Sequence, residues 1–186
     1  MAYLNDPGEW NFFISHAQAD SKDIALDIFF SMKDNKKSCW LDVKMAERDE
    51  DAMKEGVRNS KIFLVIISPS YFTRPFCVKE LEWAVEYGKP IQIIIDVQLK
   101  GEIGNIIERC PADKGYLKNI GKINFTEVFR GNPKFWEASV ESILEAKPKI
   151  LMKDGSVTAV AKHNIAEATK QGKKEFEMEK ALLDAQ

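Results

Sequence analysis

The sequence predicts a parallel α/β sheet with helices on both faces. The first sign is alternation. Short apolar runs and helix-period stretches follow one another about five times between residues 10 and 147, which is the signature of a parallel sheet with crossover helices. The second is the texture of the strongest run, "KIFLVIIS" (61–68). It is apolar at successive positions, as suits a central strand covered on both faces. The third is punctuation. Pro69, Gly88 and Pro90 break the pattern where a strand or helix must end.

The elements follow in order. "WNFFIS" (10–15) lacks helical spacing and reads as a buried strand. "ADSKDIALDIFFSMKDN" reads as a helix that Asp20 or Ser21 can cap. Ile24, Ile28 and Met32, with Leu26 and Phe29, form its inward stripe. "SCWLD" (38–42) is the second strand, and "VKMAERDED" after it is polar and loop-like. "DAMKEGVRNS" is a short helix with Met53 and Val57 on one side. Helix resumes near Pro75 or Phe76 and runs to Tyr87. "PIQIIID" (90–96) is a further buried strand, "EIGNIIERC" a weaker helix, and "NIGKINF" (119–125) a fifth strand at an edge. "NPKFWEASVESILEAK" is a helix with two adjacent stripes: Phe135, Ser139 and Ile143 beside Trp136, Val140 and Leu144.

Residues 148–186 differ in character. "ILMKDGSVTAV" reads as a hairpin around Asp154-Gly155. The remainder is charged and helix-favouring, with Ile165, Phe176 and Leu183 as its large apolar anchors. Gly172 in its middle weakens it by about 1 kcal/mol relative to alanine. The division expected is a domain over 1–147 and a C-terminal extension, mostly helical, over 148–186.

Composition narrows the function classes. The 186 residues are 45% hydrophobic and 30% charged, with a net charge of −2. This is a globular balance without the positive field that recruits nucleic acid or anionic lipid. No apolar run approaches the length of a bilayer span. "MAYLNDPGEW" lacks the basic start and apolar core of a signal peptide. Cys39, Cys77 and Cys110 read as reduced thiols, so a cytoplasmic protein is expected. His16 and His163 are isolated, and no spacing suits a metal. No cofactor is expected.

In an open parallel sheet, ligands bind beyond the carboxyl ends of the strands. The loops of interest therefore follow Ser15, Leu41, Ser68 and Ile95. The loop "HAQADSKD" opens a helix and can accept a phosphate, but it has no glycine and is neither a P-loop nor a dinucleotide fingerprint. The stretch after Ser68 places Cys77 and Glu80 on one side of a helix start. Taken alone, these two residues read as a core spacer and an acid favoured by the helix dipole. His16 alone reads as a surface or capping residue.

Ordered motifs sharpen this reading. "NFFISH" resembles the first motif of the TIR (Toll/interleukin-1 receptor) domain family. "CWLD" resembles the family's second strand, with Asp42 opening the mobile BB loop. "GVRNSKIFLVIISPSYF" resembles its helix-into-strand segment. "CVKEL" is similar to the Cys-x-x-Glu-Leu of members that cleave NAD⁺, and Phe135-Trp136 matches the third motif. The motifs occur in the family's order. Two departures stand out. The Arg-Asp-x-x-Pro-Gly of animal adaptors is replaced by "VKMAERDEDAM", and Asn11 and His16 stand where an acid and an aromatic are common.

The resemblance implies a flavodoxin-like, five-stranded parallel sheet. It also implies an NAD⁺ nucleosidase that gives nicotinamide and ADP-ribose or a cyclic ADP-ribose. Such an enzyme acts in stress or defence signalling, in innate immunity, through self-association and contacts with other TIR proteins. Glu80 takes the catalytic position. Phe13 and Ser15 are expected at the site floor, and His16, Trp40 or Trp83 as aromatic faces. Lys44 and Arg48 are expected near the pyrophosphate, with Cys77 adjacent as a thiol or a buried spacer. One carboxylate suffices on chemical grounds. Glycoside hydrolysis ordinarily needs a second to protonate the leaving oxygen, but nicotinamide is already cationic and departs neutral. A carboxylate in this role needs no perturbed pKa to act as an anion. The alternatives are a non-catalytic TIR scaffold signalling by TIR–TIR contact and a nucleoside-processing relative such as a deoxyribosyltransferase.

Overall fold

The computed structural model describes residues 2–184. Its elements are β1 (Trp10–Ser15), α1 (Gln18–Asp34), β2 (Cys39–Trp40), α2 (Glu50–Asn59), β3 (Ser60–Ile67), α3 (Pro75–Glu86), β4 (Ile91–Asp96), α4 (Ile103–Glu108), β5 (Phe125–Val128), α5 (Pro133–Glu145), β6 (Lys149–Leu151), β7 (Val157–Ala159) and α6 (Val160–Asp184).

Strands β2-β1-β3-β4-β5 lie side by side and all parallel, the doubly wound order expected. β1 and β3 pair along nearly their whole length, from Trp10↔Ser60 to Ser15↔Val65. Their carboxyl ends therefore open on the same edge. One face of the sheet packs on α1 and α5 through Ile24, Ile28, Met32, Val140 and Ile143. The other packs on α2, α3 and α4 through Met53, Val57, Leu81 and Ile106. Trp40 lies flat beneath α2, where a Cβ on Gly56 would meet its indole at 2.7 Å. The absence of a side chain at Gly56 lets α2 sit that close to the sheet.

Four expectations change. β2 is two residues long, because the chain turns into a 3-10 segment at Asp42–Lys44. The fifth strand is Phe125–Val128, not 119–125. Leu117 and Ile120 are instead the buried side of a 3-10 segment over Ala112–Lys122. Phe135 is exposed and meets Phe129 at a tilt, while Ser139, Val140 and Ile143 turn inward. Neither Asp20 nor Ser21 caps α1. Ala17 takes the cap position with no side-chain bond, Ser21 Oγ donates to the Ala17 carbonyl, and Asp20 accepts from the Ser70 N–H.

The C-terminal hairpin forms around Asp154-Gly155. Gly155 adopts φ +83°, a conformation that favours glycine, and Asp154 accepts from the Ser156 N–H. The hairpin joins the main sheet, making it seven-stranded and mixed. The free side of β4 forks, so that Ile93–Asp96 pair with β5 in parallel while Ile91 pairs with Lys149 of β6 in antiparallel. α6 follows directly. Phe176 is exposed on it; the side chains of Ile165 and Leu183 lie outside the described residues. No helix among those described is long and apolar enough to cross a membrane.

Candidate functional site

The carboxyl ends of β1 and β3 are separated from their helices by tight corners. β1 ends at Ser15, and His16-Ala17 lead straight into α1. β3 ends at Ile67, Pro69 breaks it, and a 3-10 turn at Tyr71–Thr73 carries the chain to Pro75, the first residue of α3. Proline is suited to that position because no intrahelical donor is needed there. The first two turns of α3 then pass over the end of β1.

This geometry brings three side chains into one buried chain. Ser15 Oγ donates to Glu80 Oε2 at 2.6 Å and lies 2.8 Å from the Tyr71 hydroxyl. Ser15 and Tyr71 are fully enclosed and Glu80 is 8% exposed. Beside them Cys77 Sγ donates to the His16 carbonyl at 3.4 Å, fastening α3 to the β1–α1 corner.

The electrostatics follow from burial. Desolvation pushes the Glu80 carboxyl up to about 8; the Ser15 hydrogen bond opposes the rise and the Asp42 charge adds to it. The ligand-free acid therefore holds its proton over much of the neutral range. Burial also lifts the Cys77 thiol, and Glu80 lifts it further, so Cys77 is no thiolate. It is a buried spacer. Burial lowers the His16 imidazole against the opposing pull of Asp42, leaving it neutral near pH 7. Its Nε2 is buried without a hydrogen-bond partner. Tyr71 stays a phenol, its pKa raised chiefly by burial.

Above this chain opens a cleft of about 700 Å³. The starts of α1, α2 and α3 all line it, through Gln18, Glu50 and Phe76 among others. Asp49 caps α2 by accepting from the Ala52 N–H, whereas α1 and α3 begin without a capping side chain. Uncapped helix starts of this kind suit an anion. Arg48 and Arg74 supply positive side chains, Asp42, Asp49 and Glu50 negative ones, and Glu80 a buried carboxyl. A second groove of about 710 Å³ lies at the sheet fork, between β5 and the end of α5. Chemistry distinguishes the two, because the first holds a buried carboxyl at the strand ends.

The residues expected at the site divide. Ser15, His16, Arg48, Cys77 and Glu80 come together there. Phe13 and Trp40 do not, since they stack on each other in the core, rings 4.6 Å apart and 9° from parallel. Trp83 is buried in the same core. Both indoles belong to the core cluster between the sheet and the helices α2 and α3. Lys44 sits over the Phe30 ring, 4.8 Å from its centroid, away from the cleft. The structure adds Phe76, Arg74, Asp42, Gln18 and Tyr71. Phe76 was legible as the aromatic after Pro75 at a helix start; it is half exposed at the cleft wall.

A doubly wound sheet with a cleft beyond its strand ends defines the class of open α/β folds that bind ligands at that edge. The chain belongs within that class to the TIR domain family, whose model matches residues 12–144. Among curated relatives it is 31% identical over 80 residues to the 2' cyclic ADP-D-ribose synthase BtTIR of Bacteroides thetaiotaomicron, covering 41% of this chain and 28% of that protein. It is 28% identical over 91 residues to the probable 2' cyclic ADP-D-ribose synthase TcpB of Brucella melitensis biotype 1, covering 46% and 36%. The chain thus spans about a third of the curated relatives it matches. Among solved structures, the TIR domains of the activated Roq1 resistosome superpose with TM-score 0.58 at 12% identity, covering 74% of this chain and 98% of that one. The TIR domain of the Toll-related receptor TRR-2 from Hydra magnipapillata gives 0.51 at 14%, covering 73% and 99%.

Proposed function

We propose that the protein is an NAD⁺ nucleosidase with Glu80 as its catalytic residue. The observation that carries this reading is the buried Glu80 carboxyl at the floor of a cleft that three helix starts line. NAD⁺ matches the charge pattern. Arg48, Arg74 and the uncapped starts of α1 and α3 suit its pyrophosphate. The acidic residues around Glu80 suit its pyridinium cation, and Phe76 offers a ring face to a base. The names of the relatives, cyclic ADP-ribose synthases, agree with this substrate.

The raised pKa of Glu80 fits the chemistry. Placing a cation beside a protonated buried acid favours its ionisation. Substrate binding thus draws a proton off Glu80 and creates the anion where positive charge is about to move. The bond from ribose C1' to the ring nitrogen then breaks, and its electron pair leaves with neutral nicotinamide. The sugar carries the charge as an oxocarbenium ion that the Glu80 carboxylate stabilises. Removing a pre-placed group of this kind typically costs about 3–4 kcal/mol of transition-state stabilisation. Water at C1' gives ADP-ribose and a proton; a hydroxyl of the same molecule gives a cyclic product. The neutral His16 leaves the local charge to the carboxylate.

We place this activity in stress or defence signalling in the cytoplasm, with self-association through TIR–TIR contacts. Purified protein incubated with NAD⁺ across a range of protein concentrations tests both parts. Nicotinamide release that rises more than proportionally with concentration is expected. Release absent at every concentration, or undiminished in Glu80→Ala, contradicts the reading and favours a scaffold.

A further inference from the structure

Glu80 is one end of a hydrogen-bonded chain that begins at Tyr71. The chain joins three elements: β1 supplies Ser15, the turn after β3 supplies Tyr71, and α3 supplies Glu80. Tyr71 is fully enclosed, and its ring meets Phe72 edge-on at 5.4 Å. A buried phenol hydroxyl needs a partner, and among the described residues Ser15 Oγ at 2.8 Å is that partner.

The serine has one proton to give. When Glu80 is an anion, Ser15 donates to Oε2 and Tyr71 donates to Ser15. When Oε2 carries a proton, the direction reverses: the carboxyl donates to Ser15, and Ser15 donates to Tyr71. Two hydroxyl rotations switch between the states and no heavy atom moves, but only the first gives the Tyr71 proton an acceptor among the described residues, so the chain favours the anion. Each bond polarises the next, and the gain is largest when the acceptor is charged.

We propose that Tyr71 is a positioning residue, acting through Ser15 to hold Glu80 in place while the carboxyl gains and loses its proton. This rests on the nucleosidase reading and deepens it by assigning the device that controls the catalytic acid. Other charged and titratable groups also surround Glu80 and its neighbour Cys77: His16 and Asp20 at the β1–α1 corner, Asp42 after β2, Arg48, Asp49 and Glu50 at the start of α2, Arg74 just before α3, and Cys77 on it. Tyr71→Phe changes none of them, because it removes one oxygen and keeps the ring.

The test has two readouts. The first is the Glu80 carboxyl titration in ligand-free protein, followed by carbon-detected NMR and assigned by its absence in Glu80→Gln. Tyr71→Phe is expected to move the midpoint to higher pH by about half a unit, and Ser15→Ala by more. The second is nicotinamide release against pH. The rising limb is expected to move the same way, with kcat near pH 7 falling about threefold in Tyr71→Phe and KM unchanged. Thermal melts show that each variant is folded. An unmoved midpoint in folded Tyr71→Phe overturns the proposal, as does a loss confined to KM. If wild type releases no nicotinamide, the nucleosidase reading fails, and the titration still decides whether Tyr71 governs Glu80.

Discussion

Replacing Glu80 with glutamine makes the protein more stable, and increasingly so as pH rises. Glutamine keeps the side-chain shape and an oxygen to accept from Ser15 Oγ, but it cannot ionise. In the folded protein the Glu80 carboxyl is pushed up to about 8 from an ordinary 4.5. Between those two values the folded state binds a proton that the unfolded chain has released. Folding stability in wild type therefore falls as pH rises through that window. At 1.36 kcal/mol per unit, the full shift corresponds to roughly 5 kcal/mol. Between about pH 5 and pH 8 the part that develops is roughly 3–4 kcal/mol. Urea unfolding of both proteins at several pH values measures it. The stability gap is expected to be small near pH 5 and to reach a few kcal/mol near pH 8. Parallel pH curves for the two proteins would refute the argument, because they would mean that Glu80 ionises as it does in water.

Three further outcomes follow from particular contacts. Gly56→Ala drives a methyl group into the Trp40 indole at 2.7 Å; a loss of about 1–3 kcal/mol is expected in urea unfolding, with the fold retained. Arg74→Ala removes a positive side chain from the cleft; KM for NAD⁺ is expected to rise several-fold with kcat changed less, read from initial rates. Ending the chain after residue 146 removes β6 with its buried Ile150 and Leu151. Burial of two such side chains is worth about 3–6 kcal/mol, so a markedly lower melting temperature is expected, and an unchanged one would show that the hairpin adds nothing.

The fold was legible where burial is continuous. β1, β3 and β4 are apolar at successive positions because helices cover both faces of the sheet. β5 was not legible. "FTEV" alternates apolar and polar residues weakly, whereas the stronger apolar spacing of Leu117 and Ile120 belongs to a 3-10 segment on the core. The fork of β4 was out of reach for another reason: pairing between Ile91 and Lys149 is long-range and leaves no local periodicity. At the site, the helix start alone left Glu80 as an acid favoured by the dipole, and the resemblance of "CVKEL" singled it out; its protonation was not legible, because desolvation depends on what surrounds it in space. The resemblance put Phe13 at the site floor and offered Trp40 as an aromatic face; the stack between them places both in the core. Tyr71 was hidden inside "SPSYF", which reads as a turn. The available signal was a tyrosine whose hydroxyl, once buried, needs a partner.

The central claim is that the charge of Glu80 cleaves NAD⁺. Nicotinamide release by wild type and by Glu80→Gln, measured side by side at the same protein concentration near pH 7.5, tests it most directly. The account predicts turnover in wild type and a fall of about 10² or more in the more stable variant, corresponding to about 3–4 kcal/mol. Equal rates in the two proteins, or no release by wild type at any concentration, would contradict it.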